Sequence, residues 1–424
     1  MSFQQGLSGL NAASKQLEVI GNNVSNANTV GFKQSRAEFA DVFANSLSGG
    51  GGTQIGIGTN VSTVAQQFTQ GNVTSTSNTL DIAINGGGFY RMTNNGAVTY
   101  TRNGQFKMDK DGYIVDAASK HLSGYTADSS GTLQKGAPVD LKINTADLQP
   151  KATSKIVGLV NLDSRKATPT TTPFDPTDPT SYNDSTAVSV FDSLGNSHTL
   201  QSYFVKDSTL ANTWHIYTTA DGVSTTTLPT ATSTLTFPAT GTGTNPTSVP
   251  ATTTVTFTPL EAAIPPATTP TIPNGAANVS ITMDYSSSTQ FGSNFSINSL
   301  TQDGFTSGRL TGFNTGSDGI ITGRYSNGQS KSLGQVVLAS FSNPNGLQSL
   351  GGNAWSESST SGAPLVGEPN TGTLGVLQSS AVEDSNTDLT AELVNMITAQ
   401  RYYQANAQTI KTQDQVLQTL VNLR

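Results

Sequence analysis

The sequence predicts a mainly β protein with α-helical termini, built as a nested, discontinuous multidomain chain. Three observations predict this. Apolar residues at both ends recur at helical spacing. Between them the period falls to two and is punctuated by Asn-Gly and Asp-Gly dipeptides, the residues that close tight hairpins. Finally, one composition flanks a differently composed middle, so the chain leaves one domain and later returns to it. At 424 residues it exceeds a single compact core, and roughly two to four domains are expected.

At the N-terminus Phe3, Leu7, Leu10, Leu17, Ile20 and Val24 lie three, four or seven residues apart and place one apolar stripe on a helix over 3 to about 29. Gly6, Gly9 and Gly21 weaken it. The Asn-, Ser- and Gly-rich run from Asn22 to Lys33 favours turns and ends it. A short second helix is expected over Arg36–Leu47, and Gly49–Gly52 is read as a flexible joint. From about 72 the strand period begins. Gly88–Tyr90 and Ala97–Thr101 flank Asn95-Gly96, Gln105–Met108 and Tyr113–Val115 flank Asp111-Gly112, and Ile320–Tyr325 and Ser332–Phe341 flank Asn327-Gly328. From about 148 to 287 Thr and Pro dominate. Ala187–Phe191, Leu200–Val205, Trp214–Thr218, Thr253–Phe257 and Val279–Met283 still read as strands, so a second all-β domain with long loops is expected rather than a linker.

The last helix is expected from near Asp388 to Arg424, with Ser385 as candidate N-cap. Leu389, Leu393, Met396, Tyr403, Ala407, Ile410, Leu417 and Val421 form its stripe. The expected domains are therefore 1–30 with 385–424 (helical), 31–71 with 379–384 (connecting), 72–147 with 288–378 (middle β) and 148–287 (outer β).

Composition excludes several functions. Only 34% of residues are apolar and 12% charged, with 42 Gly, which suits an extended, β-rich, extracellular type of protein. A net charge of -7 without any basic run argues against nucleic acid. The absence of Cys removes disulfide stabilisation and suits a chain exported unfolded. Met1–Gly6 lacks the charged and apolar regions of a conventional signal peptide. No stretch approaches the ~20 apolar residues of a membrane-spanning helix, so membrane insertion is not expected. His121, His198 and His215 are far apart, without Cys partners or paired spacing, so no metal site is expected; surface positions on strands explain them, although His198 and His215 could face each other across a hairpin. Asp109-Lys110-Asp111-Gly112 resembles the start of a calcium loop but lacks the distal glutamate, and a hairpin turn accounts for it. Gly86-Gly87-Gly88 lacks the following Lys-Ser/Thr of a phosphate loop. No catalytic residues and no cofactor are expected.

Two readings of the terminal stripes remain: helices that cover the β body, or helices that bury against other copies and so build a polymer. The heptad spacing persists over about 30 residues, longer than a covering helix needs, and polar Gln400 and Asp414 interrupt it, which suits a shared bundle.

Longer motifs point the same way. Leu10-Asn11-Ala12-Ala13, the run Ile20–Asn28 with Asn22, Asn23 and Asn26, and Gly31-Phe32-Lys33 resemble the N-terminal signature of flagellar rod and hook axial proteins. Asp388–Ile397, Ala399–Ala407 with Gln400, Arg401, Gln404 and Asn406, and Thr409–Asp414 resemble its C-terminal partner. Leu80–Asn85, Tyr100–Phe106, Val188–Asn196 and Leu333–Ala339 are similar to the β domains of that family. The resemblance implies that the terminal helices pair in a coiled-coil-like inner layer lining a channel, with two β-rich outer domains around it. It implies a helical homopolymer, a curved universal joint between rod and filament, exported by the flagellar type III apparatus and meeting rod, hook-cap and hook–filament junction proteins. The large insertion at 148–287 favours a hook subunit over a distal-rod or junction protein. From a different class, a secreted glycan-binding protein or enzyme would use Tyr182, Tyr203, Trp214 and Tyr217, which core packing explains equally well.

Overall fold

A computed structural model describes residues 2–42, 56–228, 230–238, 252–261 and 272–422. It is mainly β, with one long helix at each end: α1 over Ser2–Ser25 and α2 over Leu389–Asn422. The described chain forms two units, Met1–Thr145 with Thr311–Arg324 and Ser330–Arg424, and Ala146–Leu310 with Tyr325–Gln329.

In the first unit α1 is followed by a two-stranded antiparallel ribbon, β1 (Ser35–Val42) and β2 (Gly58–Gln66), irregular in register between Glu38 and Phe39. The helix expected over Arg36–Leu47 is thus a strand as far as Val42. The β-branched residues Thr59, Val61, Thr63 and Val64 offer Ser35–Val42 a pairing partner, and that long-range pairing overrides a weak local preference. Residues 43–47 and the Gly49–Gly52 joint lie outside the described residues.

Beyond the ribbon, early and late segments interleave. Ile82–Asn85 pairs with Val376–Ser379, Val73–Ser75 with Ala381–Glu383, and Phe89–Asn94 with both Ala97–Thr101 and Leu338–Ser340. The hairpin at Asn95-Gly96 has φ of 48° and 87°, the two left-handed positions that a type I′ turn requires. At Asp109 the carboxylate accepts the Asp111 and Tyr113 N–H groups at 2.9 and 2.7 Å, which makes the acidic run a turn. Phe89, Tyr100, Phe341 and Trp355 form the core here, joined by edge-to-face rings 4.8–5.9 Å apart.

The second unit is a pair of sheets over one core. All five strands expected in the Thr/Pro-rich region are present, as Asp184–Phe191, Ser197–Lys206, Thr213–Ala220, Thr252–Phe257 and Val279–Asp284. The strand Lys155–Asp163, which the sequence reading passed over, sits centrally. It runs parallel to Val279–Asp284 and Thr289–Phe291 and antiparallel to Ser296–Gln302. That pairing carries the unit past the boundary expected at 287 to Leu310. Inside lie Ile156, Val160, Phe204, Trp214, Ile281 and Met283, all fully or almost fully buried. Each such side chain contributes about 1.5–3 kcal/mol of transfer free energy.

The histidines and aromatics correct two expectations. His198 is buried, its Nδ1 2.6 Å from Asp221 and its Nε2 3.2 Å from Asp192, because the loops at both strand ends fold over it. It does not face His215, which lies opposite Val205 and bonds Asp207 at 2.6 Å. His121 bonds Asp140 at 2.7 Å and stacks on Tyr113. Trp214 is wholly inside the core. Tyr203 and Tyr217 are buried against Phe174, whose ring stacks on Tyr217 at 4.2 Å. These rings pack together rather than forming an open platform for a sugar.

Candidate assembly interface

α1 and α2 pack antiparallel, since Gly6 lies against Ile410 and Gly9 against Asn406. A Cβ on Gly9 would stand 2.7 Å from Asn406 Oδ1, and one on Gly6 2.9 Å from Ile410 Cγ1. The interior glycines cost α1 about 1 kcal/mol each in helix propensity, and they let the two backbones approach. The seam is completed by buried Ala12, Ala13 and Ile20 on α1 and by Glu392 and Ala399 on α2. On α2 the less exposed positions include Glu392, Ala399, Asn406 and partly buried Gln413, seven residues apart and small or polar, beside the apolar Ile410 that meets Gly6. Asp388, not Ser385, caps α2: its carboxylate accepts the Thr390 and Ala391 N–H groups at 2.8 and 3.1 Å. Ser385 Oγ instead bonds Thr387.

The predicted apolar positions divide. Ile20 is 5% exposed and is consumed within the chain, so it is withdrawn from any surface open to a second copy. Leu10, Leu17, Val24, Met396 and Ile410 are half-buried along the seam. Phe3, Leu7, Leu389, Leu393, Tyr403, Leu417 and Val421 are exposed, Val421 at 74%. The structure adds four that the heptad reading missed: Val394, Ile397, Tyr402 and Val416 are also exposed, Val394 at 59%. At about 100° per residue they fall within one arc of about 140° on the helix, so a search for a second apolar face would have found them. Among the signature residues, Gln400, Arg401 and Gln404 are exposed, and Asn406 is half-buried in the seam.

α2 also outruns α1. Twelve residues separate Ile410 from Asn422, whereas four separate Gly6 from Ser2. At 1.5 Å per residue the overhang is about 12 Å, and it carries Val416, Leu417 and Val421.

The N-terminal signature residues do different work. Asn22 is exposed, and Asn26 closes the helix end on Asn22. Buried Asn23 bonds both ways to Ser35, its Nδ2 donating to the carbonyl at 2.8 Å and its Oδ1 accepting the N–H at 2.9 Å. Gly31 has φ of +71°, and a Cβ there would fall 2.6 Å from the Asn103 nitrogen, so only glycine passes. Phe32 is buried beside it. Lys33 Nζ is wholly buried and donates to Glu383 Oε1 at 2.7 Å and to the Thr69 carbonyl at 2.7 Å. Arg102 donates to the other Glu383 oxygen at 3.2 Å and to the Gly86 carbonyl at 2.9 Å. Burial pulls the Lys33 ammonium below its ordinary value, and the Glu383 charge opposes that. Removing one partner of such a buried set costs about 3–5 kcal/mol, because a charge is left uncompensated. Among the described residues no group of three or more His, Cys, Asp or Glu residues could hold a metal ion. No helix there is long and apolar enough to cross a membrane.

Comparison with known proteins agrees with this arrangement. Family models match in four segments: "Flagella basal body rod protein" over 3–33, "Flagellar hook protein FlgE/F/G D1 domain" over 83–157, "Flagellar basal body protein FlaE D2 domain" over 161–305 and "Flagellar basal body rod FlgEFG protein C-terminal" over 378–423. The chain is 42% identical over 429 residues to the flagellar hook protein FlgE of Escherichia coli K12, covering all of both chains. It is 43% identical over 430 residues to that of Salmonella typhimurium, again covering all of both. It is 32% identical over 449 residues to the Borreliella burgdorferi protein, covering all of this chain and 99% of that one. A crystal structure of Helicobacter pylori flagellar hook protein FlgE2 shares the fold, with TM-score 0.52 and 14% identity, covering 73% of this chain and 100% of that one. With identity above 40% over the full length of hook proteins, this chain belongs to the flagellar hook protein family.

Proposed function

We propose that the chain is the structural subunit of a bacterial flagellar hook and polymerises through the outward faces of its terminal helices. The observation that carries this is the apolar surface left on α2 after α1 has been covered. Leu393, Val394, Ile397 and Tyr402 flank the seam, and Val416, Leu417 and Val421 stand beyond its end. At about 25 cal/mol per Å² their burial against neighbouring copies supplies several kcal/mol per subunit. Phe3 and Leu7 extend the same interface on α1, with Leu389, Tyr403 and the half-buried Leu10, Leu17, Val24, Met396 and Ile410 along its margin.

In this reading the tube is the curved, flexible joint between rod and filament. Its partners are further copies of itself, the rod below, the cap during growth and the junction proteins above. The chain leaves the cell through the flagellar type III apparatus without a cleaved signal peptide, and the hook stands outside the cell. The polar signature residues Gln400, Arg401 and Gln404 supply hydrogen bonds between copies beside the apolar contacts.

Negative-stain electron microscopy of the concentrated full chain, beside a chain ending at residue 385, tests the proposal. Tubes from the full chain alone are expected. Tubes of equal number and shape from the shortened chain would place the polymer contacts elsewhere and overturn it.

A further inference from the structure

Glu383 occupies a position that the polymer reading alone does not call for. Three connecting segments meet where the helix-and-ribbon part of the first unit joins its β body: 26–34 from α1 to the ribbon, 66–72 from the ribbon into the body, and 383–389 from the body to α2. All three passages meet this one buried residue. Its main-chain carbonyl accepts the Gly31 N–H at 2.8 Å. Its Oε1 accepts Lys33 Nζ at 2.7 Å and the Gly71 N–H at 3.0 Å. Its Oε2 takes Arg102, which is held in turn against the body by the Gly86 carbonyl and lies over the Phe89 ring at 5.5 Å. Asn386, three residues on, bonds the Gln34 N–H and the Gln67 carbonyl, both at 2.8 Å. Gly31 and Asn23 fasten the end of α1 to the same point.

A hinge needs main-chain groups that can trade partners with water. Here the three segments are pinned by one buried residue, whose carboxylate is shared between two cations and the Gly71 N–H and whose main-chain carbonyl takes the Gly31 N–H, so none of the three can swing without breaking a buried bond or exposing an uncompensated charge. We infer that Glu383 is the positioning residue of this subunit: it sets the direction in which the helical pair leaves the β body, and so the angle at which successive subunits stack. The part concerning stacking rests on the hook reading; the part concerning direction does not.

The absence of native cysteine makes a direct test available. Spin labels attached through Gln408→Cys on α2 and Ser349→Cys in the strand Gln348–Gly351 report the distance between helix and body by double electron–electron resonance. The parent is expected to give one narrow distance distribution, and Glu383→Gln one about twice as wide or shifted. Lys33→Met, which leaves the Glu383–Arg102 pair in place, is expected to broaden it less and serves as the deciding variant if Glu383→Gln does not fold. A lowered melting temperature with an unchanged distribution in the folded variants would show a merely structural role and overturn the inference. Where the parent forms tubes, those of Glu383→Gln should differ in curvature or helical rise, and identical tubes would likewise overturn it. A parent that forms no tubes would count against the hook reading, while the distance measurement still judges Glu383.

Discussion

The helical pair and the β unit of Ala146–Leu310 dispose of their apolar residues in opposite ways. In the β unit, Ile156, Phe204, Trp214, Leu235 and Ile281 face one another across two sheets and are closed off from solvent. In the helical pair, small residues face inward. Gly6, Gly9, Ala12, Ala13 and Ala399 line the seam together with Ile20 and Ile410, and the large Leu393, Ile397, Leu417 and Val421 face outward. The first arrangement completes its own core. The second brings two backbones together mainly through small residues and leaves many of its large side chains exposed. On the proposed function, stability and assembly reside in different parts of one chain, and substitutions should separate them.

The largest effect is expected inside the β unit. Trp214→Ala should cost about 3–5 kcal/mol through the cavity it leaves, measured by chemical denaturation, with little loss of helical signal. A cost near zero would mean that this core is not the closed one described. Next, Leu393→Asp should abolish tubes in electron microscopy while the thermal melting of both β regions stays unchanged, and normal tubes from it would erase the contrast between the two regions. Gly9→Leu should open the seam, since even a Cβ there meets Asn406. It is expected to lower the helical melting step and leave the β transition in place, and an unchanged helical step would contradict the close approach.

A smaller effect distinguishes the regions by acid. In the β unit, burial raises the Asp303 carboxyl, but donors from Lys151, Ser154 and Lys155 outweigh it and hold the group well below the usual carboxylate range. Asp192 behaves alike through Asn196, Asn274 and His198. Because these folded-state values are depressed, their stabilisation is fully present above the unfolded value of about 4 and is lost as pH falls below it. Circular dichroism melts from pH 5 to 2 should show the β transition dropping, and a flat profile would contradict the bonding described at these carboxylates.

Much of this was legible in the sequence, for reasons specific to each element. The terminal helices announced themselves through long apolar repeats, and the hairpin at Asn95-Gly96 through a dipeptide whose two residues both tolerate left-handed positions. The strand at Ser35–Val42 was not legible, because its partner lies beyond a run with no strand pattern. Lys155–Asp163 carries a readable alternation at Ile156, Gly158, Val160 and Leu162, but the Thr- and Pro-rich composition that follows obscures it. The seam was legible only in part, at Ile410, because a heptad search looks for apolar residues, whereas much of the α2 side facing α1 is small or polar, as at Ala399 and Asn406. The Glu383 cluster joins charges 281 and 350 residues apart, a distance over which no local pattern exists.

The unequal lengths of α1 and α2 have a consequence for growth. Two copies meeting through a twofold axis would lay overhang on overhang and stop, whereas head-to-tail stacking covers each overhang with the next copy and leaves the last one bare. A tube built that way is polarised. One rim of such a tube would always present a ring of uncovered Val416, Leu417 and Val421, a sticky lip that advances with every addition.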